Sequence, residues 1–334
     1  QRATSAASVA TQQYPAVDRF QFGLAGTMGT WTFSQDTDVP TGQGFANSFK
    51  MDCTTADASP AAADAIRIAQ IIEGQNLQYL KKGTSSAVPL TLSFWVKSVL
   101  TGTYIAELYD VDNTRQVSKS YTISSASTWE YKTITFPADT TGAFTNDNNA
   151  SLYLNFFVGA GTDYTSGSLN TSWAAVTNAN RAVGQVNLAN STSNNFWITG
   201  IQMEAGSVAT DFEVNTFAQN LERCQRYYTR WQGDASDQRS IANGMVVGTA
   251  QVRMIVVYPT TLRTFPTVTE SALETLDSGK SVEAVSLNGT VDPGINAVNA
   301  QIDADSGTPY TVGQAISLRT SSSTSSYFAV DAEL

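Results

Sequence analysis

Apolar and polar residues alternate along much of the first two-thirds of this 334-residue chain. In the segment LTLSFWVK, from 90 to 97, the residues Leu90, Leu92, Phe94 and Val96 fall on one side and the residues between them on the other. The segment SLYLNFFV, from 151 to 158, repeats this period of two. Successive side chains of a β-strand point to opposite faces of a sheet, so both segments are predicted as strands with one buried face.

Other strand-like runs recur along the chain, separated by clusters of Gly, Asn, Asp and Ser. They are QFGLAGTMGTWTF, AIRIAQII, LTLSFWVKSV, TYIAELYDV, YTIS, WEYKTITF, SLYLNFFVGAG and NFWITGIQME. About eight short strands in roughly 200 residues predict a two-sheet β-sandwich of jelly-roll type. No internal repeat is present, which argues against a solenoid, a propeller or a repeated fibre shaft.

The period changes in the segment TFAQNLERCQRYYTRW, from 216 to 231. Its apolar residues follow intervals of four, three, four and three, and they are Phe217, Leu221, Cys224, Tyr228 and Trp231. This spacing predicts an amphipathic helix across the whole segment. Thr216 and Gln219 form a capping box at its start, and the QGD that follows Trp231 gives the stop.

A second β region runs from about residue 240 to the end of the chain. Its clearest strands are GMVVGTAQVRMIVVYP and YFAVDAEL, and the serine-rich segment 320–326 is predicted as a hairpin loop between AISLR and the last strand. The predicted fold class is all-β: a jelly-roll β-sandwich, one connecting α-helix and a second, smaller β-sandwich. The predicted divisions are an N-terminal arm or linker (1–13), the jelly roll (14–213), a connector helix (214–232) that fixes the two β domains relative to each other, and the C-terminal β domain (233–334).

Composition and charge exclude several classes of function. The net charge is −10 and the isoelectric point is near 4.5, which argues against a nucleic-acid partner because phosphate binding depends on clustered Lys and Arg. No run of eighteen apolar residues is present, so no membrane insertion is predicted. The chain begins at Gln1 rather than Met, and we expect the numbering to start inside a longer polypeptide.

The chain contains no histidine, which removes the commonest general base, the commonest zinc ligand and every Ser/His or Cys/His nucleophile pair. Its two cysteines, Cys53 and Cys224, are far apart and are predicted to be thiols rather than a disulfide or a metal site. Aspartates in oxygen-rich turns could contribute to a calcium site, and they are Asp110, Asp112, Asp147, Asp303 and Asp305. None completes a calcium-binding loop, and Asp is a common turn residue, so no cofactor or metal is predicted.

The segment WITGIQMEAGSVATDFEVNTFAQNLERCQRYYTRW, from 197 to 231, resembles a joint of many bacteriophage virion proteins. In that family, a strand ending in Q-x-E-x-G-x-x-A-T-x-F-E leads into a helix that carries C-Q-R-Y-Y. The region 14–213, with LSFWVKS and TWEYKTITFPADTTG, is similar to the jelly-roll carbohydrate-binding modules that precede the joint. YPTTLRTFPTVT and the terminal DAEL are similar to the C-terminal β domain that follows it. The resemblance covers nearly the whole chain.

The resemblance implies a tail fibre, tail-tip or head-fibre protein on the exterior of a phage particle. Such proteins are usually homotrimers that attach to other virion proteins through their N-terminal side and present β modules to glycans of the host cell surface. The alternative is a structural or decoration protein of the capsid or tail without receptor binding. The acidic surface rich in Ser and Thr, and a C-terminal domain that reads as a fibre tip, favour the receptor-binding role.

The apolar stripe of the predicted helix has two interpretations. A 4-3-4-3 spacing is that of a heptad seam, so three copies could pack Phe217, Leu221, Cys224, Tyr228 and Trp231 around a threefold axis. Alternatively, the stripe packs against a sheet of its own chain. The stripe spans only two heptads, and Tyr and Cys are poor seam residues, which favours packing within the chain.

Glycan recognition requires flat apolar faces for sugar C–H surfaces and polar side chains for the hydroxyl groups. The candidates face away from the Leu/Phe core or lie in polar loops, and they are Trp95, Trp129, Tyr131, Tyr153, Asn155, Tyr164 and Trp173. The alternative for each aromatic residue is a structural role in the core or under a loop. Trp31 and Trp197 are expected in the core.

The candidate residues for an enzymatic function are the isolated acids Glu107, Glu130, Glu204 and Glu213. Glycoside hydrolysis needs two carboxylates at a defined separation. Glu204 and Glu213 belong to the joint, where a structural role is expected, and the chain lacks the long repeat-built β-helix usual in phage depolymerases. We therefore predict a non-catalytic protein.

Overall fold

The computed structural model of the protein describes residues 3–276, 283–304 and 310–334, with the backbone alone for 283–291. The chain divides into two compact units, 3–214 and 215–333. Each unit is built almost entirely of antiparallel strands.

The first unit is a sandwich of two six-stranded antiparallel sheets. Its strands are β1 (Ser5–Val9), β2 (Phe20–Ala25), β3 (Thr30–Asp36), β4 (Ser48–Thr55), β5 (Ala65–Glu73), β6 (Leu90–Ser98), β7 (Gly102–Asp110), β8 (Arg115–Ile123), β9 (Glu130–Phe136), β10 (Ala150–Ala160), β11 (Ala174–Ala175) and β12 (Asn195–Ala205). Sheet I has the order β1-β3-β4-β12-β6-β9, and sheet II has the order β11-β8-β7-β10-β5-β2. This architecture confirms the predicted jelly-roll sandwich.

Short helical segments connect several of these strands. They are α1 (Thr162–Thr165) and the 3₁₀ turns Gly74–Asn76, Gln78–Leu80, Asn178–Asn180 and Leu188–Asn190. Strand β1 pairs with β3 at the edge of sheet I, so residues 5–9 of the segment expected to be an arm take part in the sandwich.

The core lies between the two sheets, where the period-two pattern placed it. Leu92, Phe94 and Val96 of β6 are fully buried there, as are the alternating residues Leu154 and Phe156 of β10. The intervening residues point to the outer faces of the sheets, and the candidate aromatic residues on β6, β9 and β10 are among them.

The second unit is also all-β. Its strands are β13 (Tyr228–Gln232), β14 (Ser240–Gly248), β15 (Gln251–Val257), β16 (Thr267–Ser271), β17 (Leu273–Leu276), β18 (Glu283–Pro293), β19 (Ala297–Ala304), β20 (Ala315–Thr320) and β21 (Tyr327–Asp331). Six of them close into a barrel in the order β14-β15-β19-β18-β17-β20, and β13-β21-β16 form a separate three-stranded sheet. Both share one apolar core, which joins Val252 and Ile302 of the barrel to Phe328 and Val330 of β21. The second β domain therefore takes the specific form of a closed barrel with a small accompanying sheet.

The predicted helix is present but shorter than its apolar spacing indicated. Helix α2 (Phe217–Gln225) starts at the predicted capping box, in which Thr216 and Gln219 bond each other's backbone. It ends at Gln225, and the prediction that it continues to Trp231 was wrong. Residues 228–232 instead form β13, because their backbone pairs with β21 about a hundred residues later in the chain.

The helical stripe is therefore broken after Cys224. Tyr228 and Trp231 do not share a helix with Phe217, Leu221 and Cys224, and Trp231 packs against Phe328 of its own chain with ring centroids 5.7 Å apart. The α2 helix itself buries none of its residues, and Phe217 is 82% exposed. A seam at a threefold axis remains a prediction for the three residues on α2.

The serine-rich segment is a loop, but it does not form the predicted hairpin. The strand before it, β20, pairs with β14 and β17 of the barrel, whereas β21 after it pairs with β13 and β16. The loop connects two different sheets because the flanking strands find partners elsewhere in the unit.

Among the described residues, no helix combines the length and the apolar character needed to cross a membrane.

Candidate functional site

A row of buried polar side chains crosses the outer face of sheet II. Glu107 of β7 lies directly opposite Asn155 of β10 and Ser118 of β8, and the row continues through Ala69 to Gln21. Glu107 and Ser118 are completely buried, and Asn155 is 1% exposed. Polar groups are uncommon at buried positions unless they are paired, so this row indicates a specific structural or binding role.

The carboxylate of Glu107 is held by two partners. Arg181 donates from Nε to Oε1 at 2.7 Å and from Nη2 to Oε2 at 2.8 Å, and Asn155 donates from Nδ2 to Oε2 at 2.8 Å. Burial alone would lower the pKa of Arg181, but its hydrogen bonds and charge interaction with Glu107 outweigh this effect and raise that pKa. The two hydrogen bonds from Arg181 make the pair a bidentate contact.

The segment from 161 to 185 delivers Arg181 to this face. The backbone oxygen of Arg181 accepts a hydrogen bond from Ser118 Oγ at 2.8 Å, and this bond anchors the segment to β8. Ala182 and Tyr164 of the same segment pack on Ile105 and Phe157 in a small apolar cluster. One part of the outer face is therefore covered, and the polar row lies beside the covered part.

Three tyrosines surround the polar row. Tyr109 and Tyr153 are opposite each other on β7 and β10, with ring centroids 6.0 Å apart and planes at 71°. Tyr164 lies on α1, and the guanidinium of Arg181 is 5.1 Å from the ring centroid of Tyr109 and 5.8 Å from that of Tyr164. All three rings remain partly exposed, so they present aromatic surface next to buried polar groups.

Arg67 is the unusual residue of this face. It lies on β5 between Gly23 and Phe157 on the neighbouring strands, and a Cβ atom added to Gly23 would be 2.8 Å from its Cγ. The stem of Arg67 thus occupies the space that a side chain at position 23 would fill. Burial, followed by the charge of Arg181, lowers the pKa of Arg67 despite the opposing effect of Glu107.

The guanidinium of Arg67 has no hydrogen-bond acceptor and no ion-pair partner among the described residues, and its Nε is enclosed. Asn155 Oδ1 and Gln116 Nε2 are likewise buried without a partner in the described part of the chain. Each such atom costs about 1–3 kcal/mol when it stays unpaired in the interior. We call the charged, polar and tyrosine side chains described on this face the sheet II site. Its members are Arg67, Glu107, Tyr109, Tyr153, Asn155, Tyr164 and Arg181.

The outer face of sheet I carries a second group of aromatic residues. Trp95 and Tyr131 are opposite each other on β6 and β9, with ring centroids 5.3 Å apart, and Tyr131 is 46% exposed. Trp129 and Trp197 flank Lys97, whose Nζ lies 5.5 and 4.3 Å from their ring centroids. These five residues form what we call the sheet I aromatic face.

Hydrogen bonds within the chain fix the polar atoms of this second face. Trp129 Nε1 donates to Asp38 Oδ1 at 2.9 Å, and Lys97 forms an ion pair with the same carboxylate. Trp197 Nε1 donates to Asp36 at 3.1 Å. Burial opposes ionisation of Asp38, but its hydrogen bonds from Lys97 and Trp129 lower its pKa. The indoles and the charges therefore satisfy one another, unlike the polar atoms of the sheet II site.

Two tryptophan predictions are clarified by these contacts. Trp31 is fully buried between the sheets, as expected. Trp197 is also buried, but it lies on the outer face beneath Lys50 and Lys97 rather than in the core. Trp173 packs against the core and donates from Nε1 to the backbone oxygen of Pro137 at 2.8 Å, so its polar atom is engaged within the chain.

The acidic turns are organised by hydrogen bonds of their own. Asp110 is buried and forms an ion pair with Lys82 at 2.5 Å. Asp112 and Asp147 both accept hydrogen bonds from Thr145 Oγ1, at 3.2 and 3.3 Å. These contacts are those of turn-stabilising aspartates.

No cluster of three or more metal-ligating side chains occurs among the described residues. Asp303 lies on β19 of the barrel. Asp305, the other aspartate of that turn, lies outside the described residues.

The carboxylates of the candidate catalytic acids do not share a hydrogen-bond or ion-pair partner among the described residues. Lys132 bonds Glu130 at 2.6 Å and, against the opposing effect of burial, lowers its pKa. The Thr210 hydroxyl and backbone bond Glu204 and lower its pKa. Glu213 is exposed, and Glu107 is the acid already paired with Arg181.

A further groove of about 370 Å³ opens between the two sheets. Its lining includes Phe20, Phe49, Asn47 and Gln70. The groove is lined by aromatic rings and amide side chains, but its lining includes none of the unpaired buried atoms found on sheet II. The sheet II site is therefore the stronger candidate.

Sequence reasoning identified Tyr153, Asn155 and Tyr164, which the structure brings together, but it missed Arg67 and Arg181. A signal for Arg67 was present, because it is the one charged residue in the otherwise apolar and polar-neutral run AIRIAQII. Arg181 carried no such signal, since it lies in an irregular segment 74 residues from its partner Glu107.

No protein-family model and no curated protein sequence matches this chain. Among solved structures, the chain is similar to the enzymatically active domain of tailspike protein 4 of bacteriophage CBA120, with 17% identity and a TM-score of 0.32. That similarity covers 56% of this chain and 19% of the tailspike domain.

The chain is also similar to the family 11 carbohydrate-binding module of a cellulosomal cellulase of Clostridium thermocellum, with 13% identity and a TM-score of 0.29. This match covers 61% of the chain and 98% of the module. A third similarity, to the CBM22-1-GH10 modules of xylanase 10B from the same organism, has 12% identity and a TM-score of 0.27, and covers 63% of this chain and 30% of that one. None of these similarities assigns a ligand to the present chain.

Proposed function

We propose that this protein is a non-catalytic, glycan-binding fibre protein of a phage virion and that it binds glycans of the host cell surface through the sheet II site. The observation that carries the binding proposal is the set of unpaired buried polar atoms beside partly exposed tyrosines on this face. In native proteins, a buried polar atom without a partner in the chain commonly forms a hydrogen bond with a ligand or a bound water.

The chemistry of the sheet II site suits a sugar. The rings of Tyr109 and Tyr153 offer flat apolar surface for sugar C–H groups. Arg67 is partly exposed and offers donors on the same face of the sheet, where it is a diagonal neighbour of the buried Asn155 on the adjacent strand. A shallow face of this kind lies on rigid strands, which limits the entropy lost on binding.

The virion role rests on the joint motif of the sequence. In the structure, four of its residues form a local hydrogen-bonded turn: Gln202 Oε1 accepts from the backbone of Glu213 at 2.7 Å, and Glu204 accepts from the backbone of Thr210 at 3.0 Å. This geometry gives the motif a structural reason to exist as a unit. A homotrimer, attachment to other virion proteins through the N-terminal side and a position on the particle exterior belong to the same proposal.

The non-catalytic part of the proposal is supported by the state of the acids. Hydrogen bonds lower the pKa values of Glu130 and Glu204, which suits structural carboxylates rather than a general acid. Glu107 is already committed to Arg181 and Asn155.

Binding of the purified protein to intact candidate host cells and to a glycan array tests this function. A Tyr109→Ala/Tyr153→Ala double variant is expected to lose saturable binding, and Tyr79→Ala, which removes a 51% exposed tyrosine elsewhere in the jelly roll, is expected to retain it. Absence of binding by the folded wild-type protein, or equal binding by the double variant, would contradict the proposal.

A structural or decoration role is the second candidate, and one observation favours it. The outer face of the β14 and β15 hairpin exposes Met245, Val247, Ile255 and Val257. Exposed apolar residues grouped on one face are typical of a protein contact. If this role is the correct one, the Ile255→Glu variant will fail to incorporate into virions, while the tyrosine double variant will infect normally.

A further inference from the structure

We infer that the sheet II site recognises a glycan whose sugar units carry an oxyanion, and that the guanidinium of Arg67 binds this group. The inference rests on the proposed glycan-binding function and names the class of sugar that the site takes. It concerns a part of the site, Arg67, that the contacts within the chain leave incomplete.

The charges at the site do not balance. Two guanidinium groups, Arg67 and Arg181, face one carboxylate, Glu107. Both oxygens of that carboxylate accept hydrogen bonds from Arg181, and one also accepts from Asn155. Arg67 therefore carries a positive charge that has no ion-pair partner of its own among the described residues.

Nothing on the neighbouring strands neutralises Arg67. The residues beside it are Gly23 on β2 and Phe157 on β10, which carry no charge. Acidic residues are abundant in this chain, with 29 Asp and Glu against 19 Lys and Arg. An acidic residue at either neighbouring position could have formed an ion pair with Arg67. Instead, Gly23 leaves space for the aliphatic part of the Arg67 side chain, and the Nε of its guanidinium has no hydrogen-bond partner among the described residues.

Arg67 is partly exposed, with its Nε enclosed, so an anion can reach a guanidinium that has no ion-pair partner among the described residues. The planar guanidinium presents donors in a fork that fits carboxylate, sulfate and phosphate oxygens, and such charge-assisted bonds are about twice as strong as neutral ones. The tyrosines beside Arg67 supply a stacking surface for the sugar that carries the anion. A nucleic acid also offers oxyanions, but its binding depends on clustered Lys and Arg, whereas this site has two arginines, one of which is paired with Glu107.

Two pairs of matched oligosaccharides distinguish the sources of the oxyanion. Oligogalacturonate is compared with its methyl ester, which removes the carboxylate charge, and sulfated dextran oligosaccharide is compared with unmodified dextran oligosaccharide. The full-length protein is titrated with each by calorimetry at low and at physiological salt. At least one acidic form is expected to bind tighter than its neutral partner by about tenfold or more, as for hydrogen bonds to a charged group.

The Arg67→Gln variant keeps side-chain donors but removes the charge, so the acidic preference is expected to fall to about twofold or less. Arg67→Lys is expected to restore part of it, and Arg253→Gln, which removes an exposed arginine from the barrel, to leave it unchanged. Equal binding of the acidic and neutral forms, or an Arg67→Gln variant that keeps the preference, overturns the inference while leaving glycan binding in place. No binding of any oligosaccharide in the array overturns the proposed function and the inference together.

Discussion

Arg181 and Glu107 form a two-point ion pair, with donor–acceptor distances of 2.7 and 2.8 Å, on the outer face of the second sheet of the jelly roll. Glu107 is completely buried in this contact, and Arg181 reaches it from an irregular segment 74 residues later in the chain. The pair therefore has two consequences. It fixes the 161–185 segment against sheet II, and it engages both oxygens of Glu107, the one carboxylate in the described part of the chain whose charge acts on Arg67.

Replacement of Glu107 by Gln is expected to destabilise the protein by about 3–5 kcal/mol, because Arg181 would keep a largely buried charge without its counter-ion. Chemical unfolding followed by circular dichroism measures this loss. Glu130→Gln is the matched control, since that more exposed acid pairs only with neighbouring residues and is expected to cost about 1 kcal/mol or less.

A double-mutant cycle separates this ion pair from general effects on packing. The Glu107→Gln/Arg181→Met variant is expected to be more stable than Glu107→Gln alone, because it removes both charges together. Additive losses from the two single changes would show that the charges do not interact as described.

Replacement of Arg67 by Gln is expected to leave the melting temperature unchanged or to raise it. The change removes a charge that has no hydrogen-bond or ion-pair partner among the described residues, so no hydrogen bond and no ion pair is lost with it. Differential scanning calorimetry of the variant without ligand measures the effect. A loss of more than about 2 kcal/mol would indicate a structural role for Arg67 in place of a binding role.

Trp231 and Leu221 are predicted to respond differently to substitution. Trp231 packs on Phe328 within the second unit, so Trp231→Ala is expected to cost roughly 3 kcal/mol of stability without changing the oligomeric state. Leu221 lies on the α2 helix, which buries no residue, so Leu221→Asp is expected to reduce the mass of a trimer to that of its subunits. Analytical ultracentrifugation measures both. An unchanged mass for Leu221→Asp contradicts the seam prediction for α2.

Asp139 provides a pH-dependent contribution to stability. Burial opposes its ionisation, but hydrogen bonds from Arg115, Thr141 and Lys82 lower its pKa below the ordinary value of 3.8. A carboxyl group whose pKa is lower in the folded state stabilises the fold above its unfolded pKa and loses this effect as the pH falls through the folded value. We therefore expect the contribution to be complete above about pH 5 and to decline below about pH 4.

The Asp139→Asn variant tests this prediction. It is expected to be less stable than wild type at pH 7 and to approach the wild-type stability as the pH is lowered to about 2.5, because the wild-type carboxyl group then becomes protonated. Urea unfolding at a series of pH values measures the difference. A difference that is constant with pH would assign the effect to packing rather than to charge.

The period of apolar residues predicted the buried faces of β6 and β10 because alternation is a local property that the fold preserves. The same reasoning extended helix α2 too far. The stretch from Tyr228 to Gln232 has helical spacing locally, but its pairing with β21 depends on residues about a hundred positions away. Tertiary pairing decided that segment, and a pattern read over sixteen residues contains no information about it.

The candidate site was predicted only in part for a similar reason. Tyr153 and Asn155 were found because alternation placed them opposite the core residues of β10. Arg181 and Arg67 complete the site through contacts between segments far apart in sequence, and the incomplete bonding of Arg67 is visible only when its neighbours are known. A single charged residue in an apolar strand is nevertheless a useful signal of such a position.

The structure of a glycan complex would show whether the ligand lies on the outer face of sheet II. The full chain would be crystallised with the oligosaccharide that binds tightest on the glycan array. We expect a sugar ring against Tyr109 or Tyr153 with an oxyanion within hydrogen-bond distance of Arg67. A sugar bound instead to the Trp95 and Tyr131 rings of the sheet I aromatic face, or in the groove between the sheets, would contradict it.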